Sequence, residues 1–137
     1  MVTPALVAAL DVLMPLRAAW PSPGWTWDGR FECATSSFPV GQADAVRPAV
    51  LAVLPAEWTL ESILSAPPEV GALARRVGGL RSGQLLFTGG ATGATSVPFG
   101  LWWPWSNGQT VSVRLGVHVA ERPPELSAEL RTRFAIS

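Results

Sequence analysis

Apolar residues recur along this chain in two rhythms, and the change of rhythm divides it into elements. Leu6, Leu10 and Leu13, with Val7 and Met14, form a helical stripe. They predict a first helix over 4–19, with Pro4 in its opening turn and Pro15 ending or kinking it. Residues 20–29, WPSPGWTWDG, read as a loop from their Pro, Gly and Ser, yet hold Trp20, Trp25 and Trp27. Such a loop is expected to fold back over the core as a lid. Residues 30–38 alternate as a strand, with Phe31 and Cys33 on one face. Val46, Ala49, Val50, Val53 and Leu54 mark a second helix over 44–54, capped by Asp44. Residues 57–65 suggest a helical turn or two. A further helix spans 67–77 and stops at Gly78-Gly79.

From there the rhythm shortens to two. Strands are predicted over 84–88, 97–105 and 110–119, the first two joined by the flexible stretch 89–96. A last helix over 123–134 carries Leu126, Leu130 and Phe134, with Glu129 and Arg133 as an i,i+4 pair. Strands that cluster late, without a βαβ alternation, predict an α+β fold in one domain, 1–137. The expectation is an antiparallel sheet of roughly three to five strands, ending in a Trp-rich β-hairpin, with helices packed mainly on one face.

The hairpin carries the most information. Asn107-Gly108 lies between two strand-like runs. Taken as a two-residue loop, it sets Trp105 opposite Thr110, Trp103 opposite Ser112, Leu101 opposite Arg114, Phe99 opposite Gly116 and Val97 opposite His118. Val111, Val113, Leu115, Val117 and Trp102 then share the core face. The other face mixes Phe99, Leu101, Trp103 and Trp105 with Arg114 and His118. Such a face is costly to leave wet, so either the 20–29 loop or a partner covers it. Trp, Phe and Arg are also the residues enriched at interface hot spots. Pro98 and Pro104 mark this strand as an edge, open to strand addition by another chain.

Composition narrows the function classes. Ten basic residues, all Arg, balance ten acidic ones, so no bulk field attracts nucleic acid or anionic lipid. Charged residues are 15% and apolar ones 48%, which leans towards a subunit of a complex. The absence of Lys and Tyr, with Asn107 the single Asn, suggests a GC-rich bacterial genome. The N-terminal stretch lacks the form of a signal peptide and no apolar run reaches transmembrane length, so a cytoplasmic location is expected.

Chemistry is sparse. Cys33 and His118 are each the one residue of their kind, and an enzyme using the pair is an alternative reading. A single Cys and a single His leave neither a disulfide nor a transition-metal site, and no cofactor is expected. GGATGAT at 89–95 lacks a P-loop lysine. The reading that results is a non-enzymatic binding or assembly module. Its partner is another protein or a second copy, met by Phe99, Leu101, Trp103, Trp105, Arg114 and His118, with Trp25 and Trp27 nearby. The alternative is a small-ligand pocket beneath the Trp20/Trp25/Trp27 loop.

Overall fold

A computed structural model describes residues 2–20, 24–90 and 93–136. In chain order the elements are α1 (Pro4–Ala18), β1 (Thr26–Asp28), β2 (Cys33–Pro39), α2 (Ala43–Val53), β3 (Ala56–Trp58), α3 (Pro68–Arg76), β4 (Leu85–Thr88), β5 (Ser96–Pro104), β6 (Thr110–Val119) and α4 (Leu126–Arg133). Short 3-10 turns lie at Val40–Gln42 and Ser62–Ser65. The six strands form one antiparallel sheet in the order β1-β2-β6-β5-β4-β3.

The sheet exceeds the expected size because two segments read otherwise supply its edges. The Trp-bearing loop contributes β1, which sets Trp27 beside Ala34 of β2. The 57–65 segment opens as β3, whose three residues pair with β4, before its 3-10 turn. Both edge strands are only three residues long, too short for period two to show. Two helix boundaries also differ. Asp44 lies in the first turn of α2 rather than at its cap, and α1 runs through Pro15 to Ala18. Thr3 caps α1, its Oγ1 accepting from the N–H of Leu6 at 3.2 Å.

Register sorts the side chains into two layers. One sheet face presents Ala34, Phe38, Phe87, Trp102, Val111, Val113, Leu115 and Val117, packed with the leucines of α1, Val46 and Val50 of α2, and Leu126 and Leu130 of α4. Phe87, Phe99 and Leu101 are fully buried, so neither face is a solvated one at its centre. The opposite face presents Cys33, Leu86, Val97, Phe99 and Leu101 under Val70, Leu73, Ala74 and Val77 of the α3 region. Of the helices described, α1, α2 and α4 pack on the first face and α3 alone covers the second, so the sheet is a middle layer.

The position of β5 is corrected as well. It lies between β6 and β4, not at an edge. Its prolines are tolerated because β4 is four residues long and pairs only with Phe99–Trp102. Pro98 and Pro104 flank that stretch, so neither is asked to donate to β4.

Candidate functional site

The β5–β6 register places Trp103 opposite Ser112, Leu101 opposite Arg114, Phe99 opposite Gly116 and Val97 opposite His118. The connecting turn is wider than two residues. The N–H of Trp105 donates to Thr110 O at 2.8 Å, and that of Gly108 donates to Trp105 O at 3.1 Å. Only Gly108 there has positive φ, at 70°. Asn107 Oδ1 accepts from the N–H groups of Gln109 and Thr110, at 2.8 and 3.3 Å. Lengthening the turn by two residues preserves parity, so each side chain keeps its face.

Of the residues singled out by sequence, three come together at the turn end of the α3-side face. Trp103 meets Phe31 edge-to-face, with centroids 5.3 Å apart at 88°. The Arg114 guanidinium lies over the Trp103 ring, 4.5 Å from its centroid. Arg114 Nε donates to Asp28 Oδ2 at 2.6 Å. Asp28 Oδ1 in turn accepts from the N–H groups of Arg30 and Phe31, at 2.9 and 3.1 Å. Burial raises the Asp28 pKa, but the Arg114 bond and charge and these two N–H groups outweigh it and leave the carboxyl below its usual 3.8. Trp105 is 50% exposed. Its Nε1 donates to Ser112 Oγ at 2.8 Å, and Ser112 and Ser37 share a hydroxyl–hydroxyl bond of 2.7 Å. Trp105 and Arg114 are thus held by hydrogen bonds, and Trp103 by the Phe31 ring and the Arg114 guanidinium.

The other candidates lie elsewhere. Phe99 and Leu101 are 0% exposed beneath α3 and belong to the core. His118 is six residues from Ser112 along β6, about 20 Å away at the rise of an extended strand, and is 9% exposed. Trp20, Trp25 and Trp27 fold back onto the core, as expected, but onto the layer of α1 and α4, so this loop is not the cover of the aromatic face. Trp25 meets Phe134 at 4.9 Å and Trp20 at 4.6 Å. Trp27 sits under Arg131, 5.2 Å from its guanidinium. Trp20 Nε1 donates to Ser36 Oγ at 2.9 Å. What covers the centre of the aromatic face is α3, and α3 stops short of Trp105.

Two features escaped the sequence reading. Beside Trp103 is a cavity of about 160 Å³ lined by Arg30, Arg81, Gln84 and the Gly78-Gly79 backbone. Its lining carries two guanidiniums and no carboxylate. Among the described residues neither Arg30 nor Arg81 has an ion-pair partner, and Arg30 instead stacks over Phe31 at 4.8 Å. The Nε1 of Trp103 is itself buried without a partner. Nothing in the sequence separates these two arginines from the other eight, because Arg30 reaches Trp103 only through the β1–β2 turn. The second feature is a cleft of about 790 Å³ at the opposite end of the sheet, bordered by α1, α2, and residues 89–90 and 93–95 between β4 and β5. It does not lie beneath the Trp loop, where a ligand pocket was the alternative expectation.

The Cys/His pair has little to work with. Cys33 is fully buried, and burial, then the Asp28 charge, push its thiol up to about 12. A thiol protonated at neutral pH is neither nucleophile nor metal ligand. Burial, then Arg76 and Arg122, hold His118 below its usual 6.5, in the neutral form. Among the described residues no three His, Cys, Asp or Glu side chains are grouped to hold a metal ion, and no helix is long and apolar enough to cross a membrane.

No protein-family model, no curated protein and no solved structure matches this chain.

Proposed function

We propose that this chain is a non-enzymatic binding module, and that its Trp-rich hairpin docks an acidic segment of a partner protein. The observation that carries the reading is the cavity beside Trp103, lined by Arg30 and Arg81, neither of which has a carboxylate partner among the described residues. Trp and Arg are the side chains that anchor interfaces most often. The stacked Arg114–Asp28 network fixes the aromatic anchors before the partner arrives, which lowers the ordering cost of binding. Arg30 and Arg81 supply the specificity, since a carboxylate entering their cavity meets two guanidinium forks.

Charge also selects between the two kinds of partner. A second copy meeting this surface about a two-fold axis sets the same patch on both sides. The Arg30–Arg81 cavity would then face a patch that carries the same two guanidiniums, and like charges there oppose association. A heterologous acidic partner has no such cost. The buried, unpaired Cys33 fits a reducing compartment, in line with a cytoplasmic, bacterial setting and a role as one subunit of a complex.

Titration calorimetry tests the reading with a defined probe, a ten-residue Asp/Glu-rich peptide, against a Lys-rich control of equal length. Heat is expected for the acidic peptide alone, and its loss in an Arg30→Ala/Arg81→Ala double variant that melts as the parent does. An acidic peptide that fails to bind, or binds the double variant equally well, sinks the proposal. A dimer by sedimentation that Trp105→Ser dissolves would identify a second copy as the occupant instead.

A further inference from the structure

We propose that the cleft at the opposite end of the sheet binds a small apolar amine, a molecule with an aliphatic or aromatic body and one cationic nitrogen. Three observations carry this. The first is size and shape. About 790 Å³ of concave space is bordered by α1, the end of α2, the start of α3, Gly89 and Gly90 after β4, and Gly93, Ala94 and Thr95 before β5. That volume lies within the range of small-molecule sites, about 300–1,000 Å³.

The second observation is the lining. Ala5, Ala8 and Val12 of α1 face the cleft, with Ala52 and Pro55 beyond α2's core residues and Pro98 on β5. The core uses a different face of α1, through Leu6, Leu10, Leu13 and Leu16. The cleft side of this helix therefore carries small apolar residues where an ordinary solvent-facing side carries charges. An apolar body fits such walls.

The third observation is charge. Among the residues bordering the cleft, Glu69 is the one that ionises. It is in the first turn of α3, and its Oε1 accepts from the N–H of Gly93 at 2.6 Å. That bond fixes the carboxylate at the wall of the cleft, and no ion pair engages it among the described residues. One carboxylate against apolar walls selects a cation with an apolar body over an anion of the same size. The site is separate from the Trp103–Trp105 surface and does not depend on it.

The probes are octylamine, octanol and octanoate, titrated into the full chain at pH 7 and followed by calorimetry. Octylamine is expected to bind about fivefold more tightly than octanol, the gain typical of a partly exposed ion pair, and octanoate more weakly than either. Glu69→Gln should bring octylamine to the affinity of octanol and leave octanol unchanged. Ala8→Trp, at an exposed helix position, should abolish binding of both while the melting curve stays that of the parent. Amide shifts on octylamine addition should centre on α1 and residues 93–98, a readout that does not require a variant. Octanoate binding as tightly as octylamine, Glu69→Gln leaving the preference intact, or shifts centred elsewhere would each overturn the proposal. So would the absence of binding by octylamine and octanol alike.

Discussion

Truncating the two tryptophans of β5 and its turn should have unequal consequences. Trp103 is held edge-on by Phe31 and capped by Arg114 at 4.5 Å. Replacing a fully buried Trp with Ala costs about 3–5 kcal/mol. Trp103 is part-exposed, so only about 1.5–3 kcal/mol of burial is lost, and loss of the Arg114 contact adds about 0.5–1 kcal/mol. A net cost of about 2–4 kcal/mol follows for Trp103→Ala. Trp105 is 50% exposed and leaves behind a Ser112 hydroxyl still bonded to Ser37. Trp105→Ala should therefore cost less than about 1 kcal/mol, the worth of one ordinary hydrogen bond. At this chain length 1 kcal/mol moves the melting temperature by about 3–5 °C. Calorimetry should then show a fall of roughly 6–20 °C for Trp103→Ala and under about 5 °C for Trp105→Ala. Urea titration should give the same order with unchanged slope. Equal losses, or a larger loss for Trp105→Ala, would refute the division into a supporting and a contacting indole.

Other expectations concern the interior and its titrating groups. A Cβ at Gly116 falls 2.9 Å from Phe99 Cζ and 3.1 Å from Cys33 Cβ, and Phe99 cannot retreat because α3 backs it. Gly116→Ala should destabilise by about 1–3 kcal/mol in urea, and an unchanged midpoint would contradict this packing. Asp28 has a folded pKa below its unfolded value of 3.8, so its stabilisation is present above that value and is lost as pH falls through the folded one. Asp28→Asn should be less stable than the parent at pH 7, with the gap closing below pH 3.8; a gap constant with pH would be against it. His118 is kept neutral, its folded pKa below the usual 6.5, so its unfolded form gains the proton first. Melting temperature should decline as pH drops below 6.5, and His118→Gln should flatten that decline. With its thiol near 12 and out of reach of solvent, Cys33 should resist iodoacetamide at pH 8 until urea unfolds the chain.

The sequence speaks clearly where periodicity runs long. Nine and ten residues of alternation define β5 and β6, and Leu6, Leu10 and Leu13 define the buried side of α1. It is silent where elements are short. Three residues of β1 cannot display a period, and their pairing with β2 is what turns Trp27 away from the aromatic face. The prolines of β5 mislead because their tolerance depends on where β4 ends, a fact held by residues 85–88. Phe99 and Leu101 share a strand face with Trp103, so alternation alone groups them; only the length of α3 divides the buried pair from the open end. Arg30 and Arg81 are 51 positions apart and meet Trp103 through tertiary packing.

The most direct test of the proposed docking surface uses the seven tryptophans as reporters. Indole N–H resonances, assigned by single Trp→Phe variants, are followed by NMR as the acidic ten-residue peptide is added. The Trp103 and Trp105 signals should shift together and saturably, while those of Trp20, Trp25, Trp27 and Trp102, on the other layer, stay in place. Shifts confined to Trp20, Trp25 and Trp27, or none at saturating peptide, would contradict it.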